Sequence, residues 1–346
     1  MNEQEAFEYE KYYKNRPHVV ILGAGASVAT ILKGDKNGRK ISAMDGFLKN
    51  LGMSEIIENL NLITKSQNLE DIYSELSEDD KYKNIIKELD DRIKTDFNKF
   101  EIPNHPTIYD MLLLSLRKKD LVATFNWDPL LLQAYQRVVK ITNDLPQLGF
   151  LHGNVLVGYC EKDKVAGLLT NNCQKCQKRL TPSRLLYPVK QKNYNQDPYT
   201  FSHWKTLKHY LKDAYQITIF GYSAPKTDVE AIDMLKEAWG NIDDRSMEEF
   251  EFIDIAKEDY LIKTWENFVH THHYTYSNSF FDSTLARFPR RTIEALFDRT
   301  QNCFWLSPEN PFKENMSFIE LEQIVNKLIM EEENNKNKFI TLKNGI

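Results

Sequence analysis

His18-Val19-Val20-Ile21-Leu22 is an apolar run with one polar residue, at its start, and it ends on Gly23-Ala24-Gly25-Ala26-Ser27. Such a run offers water no polar face, so it reads as a strand buried on both sides that feeds a tight glycine turn. The pattern recurs. Leu121-Val122-Ala123-Thr124-Phe125 runs into Asn126-Trp127-Asp128-Pro129, Leu148 to Leu151 into His152-Gly153, and Gln216 to Phe220 into Gly221-Tyr222-Ser223. Phe250 to Ile255 reads as a further strand. Strands separated by helices predict an α/β fold with a Rossmann-like, doubly wound parallel sheet. Ligands of such sheets collect at the carboxyl ends of the strands, where each of these glycine or polar clusters falls.

The 346 residues suffice for one large α/β domain, alone or with a small one attached, and 41% apolar residues support a sizeable core. Residues 1–16 predict an N-terminal helix, and 17–300 the Rossmann-like domain. Within it, 30–119 is a helical insertion, with apolar residues at three- and four-residue spacing (Ile56, Ile57, Leu60, Ile63; Tyr109, Leu112, Leu113, Leu116). Residues 154–190 read as a small irregular module holding three cysteines, and 301–346 as a helical tail. Helices are also expected around Asp282 to Arg299 and Phe318 to Met330.

With 45 basic and 50 acidic residues the net charge is −5, which gives no electrostatic reason for direct nucleic-acid or membrane binding. No apolar run reaches the roughly 18 to 20 residues of a membrane span, and Met1 to Arg16 lack the apolar core of a signal peptide. The cysteines (Cys160, Cys173, Cys176, Cys303) do not form a secreted disulfide framework. A cytoplasmic protein is expected.

Gly23 and Gly25 let the backbone turn sharply and approach a pyrophosphate at a helix N-terminus. A strand-to-helix turn without a ligand is the alternative. The complete G-x-G-x-x-G is broken at Val28, and no second strand with a ribose-binding acid follows the first helix, which disfavours an ordinary dehydrogenase.

Four segments in order, Gly23 to Ser27, Thr124 to Asp128, Leu151-His152-Gly153 and Gly221-Tyr222-Ser223 with Asp228 beyond, resemble the sirtuin superfamily over roughly Pro17 to Ile255. The chain is most similar to the sirtuin-like NADases of bacterial anti-phage defence. That resemblance implies NAD as substrate, cleaved to nicotinamide and ADP-ribose. Nicotinamide departs as a neutral molecule, so the reaction needs a stabilised oxocarbenium-like ribose and a placed nucleophile rather than an acid on the leaving group. By the resemblance, Asn126 orients the ribose hydroxyls or the attacking water, and His152 bonds a ribose hydroxyl or serves as general base. Gly23, Ala24, Gly25, Ser27, Thr124, Asp128, Gly221, Ser223 and Asp254 are the implied NAD contacts. For Asp128, a helix N-cap ahead of Pro129 is the competing role. The resemblance further implies a homo-oligomer, and a HerA-type hexameric ATPase or a short Argonaute as partner.

The protein deacylases of the superfamily carry a G-I-P-D-F-R-type stretch after the glycine turn, and Val28 to Lys40 hold nothing like it. That departure favours hydrolysis over an NAD-dependent deacylase. A subunit that senses NAD or ADP-ribose without turnover is the non-enzymatic alternative.

Cys173-Gln174-Lys175-Cys176 is a knuckle whose thiolates converge within one turn, and Asp163 follows Cys160 where a second knuckle would place its partner. Sirtuins hold their zinc module in this same interval, which implies a structural zinc on Cys160, Asp163, Cys173 and Cys176. A ribbon that folds without metal is the other reading. His270, His272 and His273 are expected at a surface or interface. Arg290 and Arg291 are expected on a solvated surface, or against a phosphate or an acidic neighbour.

Overall fold

The computed structural model describes residues 11–41, 47–66, 68–186, 198–222, 229–240, 245, 247–266, 268–269 and 273–334. Its strands are β1 (His18–Leu22), β2 (Leu121–Thr124), β3 (Gln147–Phe150), β4 (Val157–Cys160), β5 (Val165–Leu168), β6 (Thr181–Pro182), β7 (Gln216–Phe220), β8 (Glu249–Ile253) and β9 (Tyr274–Ser277). Six of them form a sheet in the order β3-β2-β1-β7-β8-β9, parallel throughout. Numbered among themselves, these six run 3-2-1-4-5-6, so the winding direction reverses between β1 and β7. In such a sheet the crevice for a ligand opens at that reversal. The remaining strands form a small antiparallel sheet, β5-β4-β6, within the cysteine module that was expected to be irregular.

The helices are α1 (Ala24–Thr30), then α2 (Phe47–Asn50), α3 (Ser54–Glu58), α4 (Leu69–Ser77), α5 (Lys83–Phe97) and α6 (Ile108–Leu114) of the insertion. They continue with α7 (Leu130–Val138), α8 (Pro198–Asp213), α9 (Val229–Trp239), α10 (Glu258–Thr264), α11 (Thr284–Arg287), α12 (Thr292–Thr300) and α13 (Phe318–Asn334). Residues 11–15 are helical as well.

The two-residue period of the strands sorts the core into two layers. Val20, Leu22 and Val122 pack with the insertion, α6 and α7, through residues such as Leu89, Ile93, Leu112 and Leu131. Val19, Ile21, Leu121 and Ala123 pack with Trp204, Leu207 and Leu211 of α8 and with Leu235 and Trp239 of α9. Both sheet faces are therefore covered, which is why the strands read as unbroken apolar runs. Each fully buried aliphatic side chain contributes about 1.5–3 kcal/mol relative to exposure.

Beyond β8 the sequence reading needs correction. β9 is an additional edge strand, half-buried along its length, with no buried run to announce it. The helix expected over 282–299 is broken. Ser283 caps α11 through a bond accepted from the Ala286 amide, and Arg290 takes a left-handed φ of 61° before α12 begins. Residues 301–317 are not helical, so among the described residues α13 alone represents the expected helical tail.

Arg290 and Arg291 are buried rather than solvated. Arg290 bonds Glu332 of α13 at 2.7 Å and Asp144 at 2.6 Å, and Arg291 also pairs with Glu332. The acidic-neighbour alternative is the one realised. His273 is exposed and lends its carbonyl to Phe250, while His270 and His272 lie outside the described residues.

One patch of the sheet interior is polar. His18 is fully buried, with Nδ1 2.9 Å from the Thr292 hydroxyl and Nε2 2.8 Å from the Thr218 hydroxyl. Thr218 donates to Glu251 at 2.7 Å, so Nε2 is the protonated nitrogen of His18 and Nδ1 accepts from Thr292. Burial holds the imidazole down at about 3, against an ordinary 6.5. Between those values the unfolded chain binds a proton that the folded chain does not, so this group costs stability as pH falls. Burial raises the carboxyls of Glu251 and Asp128, which acts in the opposite sense in mild acid. The His18 contribution is therefore isolated by difference. The stability advantage of the wild type over His18→Gln in urea denaturation should shrink by about 2 kcal/mol between pH 6.5 and pH 5. A constant advantage would mean that His18 is not a buried neutral group.

Candidate active site

At the reversal between β1 and β7 two backbones meet without side chains between them. Gly23 donates to the Phe220 carbonyl and Gly25 to the Gly221 carbonyl, both at 2.9 Å, while Ala26 donates to Gly23 at 3.1 Å. A Cβ on Gly23 would sit 2.4 Å from the Gly221 oxygen, and one on Gly25 would sit 2.8 Å from the Gly221 Cα. Gly221 has φ +60°, and its own Cβ would meet the Ala26 nitrogen at 2.4 Å. The glycines of the turn thus serve the approach of Gly221. These three amides are committed inside the protein and are not open to an anion.

Beside this contact, the end of β2 carries a buried polar cluster. Asn126 Nδ2 donates to the Gly23 carbonyl at 2.7 Å, to Ser27 Oγ at 2.9 Å and to the Tyr109 hydroxyl at 3.3 Å. Its backbone amide donates to Thr124 Oγ1 at 3.0 Å. Ser27 donates to Asp128 Oδ2 at 2.6 Å, so the Tyr109 hydroxyl, 2.7 Å from Ser27 Oγ, is the donor in that pair. Both amide hydrogens of Asn126 are therefore occupied, and among the described residues none donates to its Oδ1, which is left to accept from a ligand. Burial pushes the Tyr109 hydroxyl up, so it stays a phenol.

Asp128 also receives the Leu130 amide at 3.0 Å, as a helix cap would, and its carbonyl receives Asn154 Nδ2 at 2.7 Å. Pro129 is the N-cap of α7, so Asp128 stands one residue outside the helix, one oxygen on its first amide and the other on Ser27. Asn154, directly after His152-Gly153, is locked in turn by Ser183, which donates to the Asn154 carbonyl at 2.8 Å.

Phe125 points to the other side of β2 and joins three strand ends. Its ring stacks on Tyr222 at 4.3 Å and meets the buried His152 edge-on at 4.8 Å. Gly153 then takes φ +80°, where a Cβ would lie 2.2 Å from the Arg184 oxygen. That tight corner fixes the turn carrying His152.

Of the residues singled out by sequence, Gly23, Gly25, Ser27, Thr124, Asn126, Asp128 and Gly221 thus form one hydrogen-bonded or close-packed set, with exposed Ala24 between the two turn glycines. Asp254, at the end of β8, accepts from Ala256 at 2.8 Å and closes its own turn instead. Ser223 and Asp228 lie outside the described residues. Sequence reading missed Tyr109, whose ring reads as helix core, and Asn154, whose adjacency to His152-Gly153 was the available signal. Two cavities lie away from the reversal, about 430 Å³ along α5 and about 560 Å³ beside α12.

In the small sheet, Cys160 ends β4 and Asp163 sits in the following turn, closed by Lys164 at φ 54°. Gln177, at φ 60°, closes the turn after Cys173 and Cys176 in the same way. The four ligand atoms all lie within 4.8 Å of one another. Cys160 Sγ is 3.6 Å from Cys176 Sγ and 3.4 Å from Asp163 Oδ2, and Cys173 Sγ is 3.2 Å from that oxygen. A tetrahedral zinc with ordinary bond lengths sets edges of about 3.8 Å between sulfurs and about 3.5 Å between sulfur and oxygen. The donor set fits such an ion, with one carboxylate in place of a fourth thiolate.

No family model matches this chain, and no curated protein matches it. Solved structures do. A Sir2 enzyme, solved to show the structural basis of mechanism and regulation, aligns over 88% of this chain and 100% of its own, at 13% identity and a TM-score of 0.40. A Sir2 homologue in complex with NAD aligns over 86% and 94%, at 13% identity and a TM-score of 0.34. A mutant Sir2 homologue in complex with ADP-ribose covers 88% and 98%, at 13% identity and a TM-score of 0.38. The chain is similar to these in overall course, and the likeness assigns no residue a role.

The contact at the reversal makes a direct prediction. Gly23→Ala drives a methyl into the Gly221 carbonyl and should cost about 3 kcal/mol or more in chemical denaturation, as overpacking against backbone does. A loss under about 1 kcal/mol would show that the two turns separate freely.

Proposed function

We propose that this chain is an NAD hydrolase that breaks the nicotinamide–ribose bond and releases nicotinamide and ADP-ribose. The observation that carries the reading is Asn126. Its amide is pinned by Gly23, Ser27 and Tyr109 at the sheet's reversal, and among the described residues its Oδ1 has no donor and is left to engage a ligand. In this reading Oδ1 accepts from the attacking water or a ribose hydroxyl and holds it in line, a contribution of position rather than of acid–base strength. His152, set by the Phe125 ring and the Gly153 corner, bonds a ribose hydroxyl or takes the proton of the water. Ser27, Thr124 and Asp128 hold the asparagine, and Gly221 shapes the floor. Ala24, Ser223 and Asp254 remain contacts proposed from the sequence resemblance alone. The same holds for a role as an anti-phage effector that depletes NAD, for self-association and for a HerA-type ATPase or Argonaute partner.

Cys160, Asp163, Cys173 and Cys176 would hold a zinc ion that is structural, since four protein ligands leave no open position. Such an ion, when bound, ties the two turns of the small sheet together. Within the proposed 17–300 catalytic unit, this 154–190 module follows directly on the His152 turn.

Asn126→Ala and His152→Ala should each cut nicotinamide release by about 100-fold or more, within the usual range for a lost positioning or general-base group, while both variants still fold, Asn126→Ala with a lowered thermal midpoint because the Gly23 carbonyl loses its donor. Full turnover by both purified variants would sink the assignment. Appearance of acyl-ADP-ribose when an acylated peptide is supplied would redirect it to a deacylase. Metal analysis should find one zinc per chain, with chelation lowering the melting temperature; less than about a tenth of an equivalent would end the zinc proposal.

A further inference from the structure

Among the described residues, one hydroxyl of the helical insertion hydrogen-bonds the site. Tyr109 lies on α6, the last helix of the insertion, and is fully buried. Its hydroxyl donates to Ser27 Oγ at 2.7 Å and accepts from Asn126 Nδ2 at 3.3 Å. Helix α6 is itself held from both directions. Asp110, the next residue, takes the Thr107 amide at 2.6 Å as a capping box and receives Arg137 Nε of α7 at 2.6 Å. Helix α7 in turn begins two residues after Asp128, which bonds Ser27. The contacts close a ring: Asn126, Asp128, α7, Arg137, Asp110, Tyr109 and back to Asn126. A ring of this kind leaves the amide one orientation, because rotation about the Asn126 side chain would break three hydrogen bonds together.

We propose that Tyr109 is a positioning residue for Asn126, and that its hydroxyl makes the helical insertion a working part of the site by keeping Asn126 Oδ1 turned to the crevice. The inference rests on the hydrolase reading for its effect on turnover, and on geometry alone for its effect on the asparagine. It assigns the insertion a function other than core volume.

Tyr109→Phe keeps the ring and removes the hydroxyl. Two readouts test it in the full-length protein. The first is steady-state nicotinamide release, where kcat should fall about tenfold with KM for NAD unchanged, since the hydroxyl touches Asn126 and not the substrate. The second is the side-chain amide signal of Asn126 in protein labelled with 15N-asparagine, assigned by its loss in Asn126→Ala. That signal should move in Tyr109→Phe. Tyr73→Phe is the control, because it removes another insertion hydroxyl, one bonded to Asp90 at 3.0 Å, and should leave both readouts as in the wild type.

An unmoved signal, or a kcat within twofold of the wild type, overturns the proposal, as does an equal effect of Tyr73→Phe. If the wild type releases no nicotinamide, the hydrolase reading fails by itself, and the amide signal alone decides whether Tyr109 positions Asn126. Should Tyr109→Phe lose its fold, difluorotyrosine at position 109 keeps ring and hydroxyl while weakening the oxygen as acceptor. The Asn126 signal should then move, and its constancy would count against the proposal.

Discussion

The contact between the turn after β1 and the end of β7, and the asparagine beside it, depend on the absence of three side chains. Gly23, Gly25 and Gly221 bring the turn after β1 and the end of β7 into backbone contact, with separations that no Cβ would tolerate. The Gly23 carbonyl that results is the strongest anchor of Asn126. A substitution at these glycines therefore acts twice, on the seam of the sheet and on the asparagine beside it. Glycines of such a turn are commonly read as making room for a ligand's phosphates. Here the room is taken first by the protein's own chain.

The polar groups form two systems of different character. The cluster of Asn126, Ser27, Tyr109 and Asp128 sits at the carboxyl end of the sheet and, among the described residues, leaves Asn126 Oδ1 uncommitted. The chain of Thr292, His18, Thr218 and Glu251 lies in the sheet interior, runs from α12 to the third residue of β8, and closes on the Thr284 amide. Every hydrogen of that second system has a destination, so its members rigidify the packing of α11 and α12 on the sheet rather than meet a ligand. The contrast separates the cluster proposed to bind from one that holds the packing.

Much of this was legible in the sequence because buried parallel strands announce themselves twice, by an apolar run and by the residues that end it. β1, β2, β3, β7 and β8, with Asn126 and His152 at their ends, follow from that pattern. What escaped was set by distant partners. Tyr109 reads as one more ring of a helical stripe, and its Ser27 partner is 82 residues away. Arginine is expected in water, yet the counter-charges that bury Arg290 lie 146 and 42 residues away. β9 escaped for the opposite reason, since an edge strand half-open to solvent leaves no continuous apolar signature. The hairpin of the cysteine module was hidden because its turns close on left-handed Lys164 and Gln177, where glycine would have signalled them.

The Arg290 cluster also bears on the order in which the chain can be completed during synthesis. Arg290 packs beneath the loops that open β2 and β3, its amide donating to the Ser115 carbonyl and its guanidinium to Asp144. Its remaining counter-charge, Glu332, is on α13 and leaves the ribosome 42 residues later. Without α13 the Arg290 cation lacks one of its two counter-charges, and burying it in that condition would be unfavourable by several kcal/mol. Burial of Arg290 and docking of α13 are therefore coupled, since each supplies what the other needs.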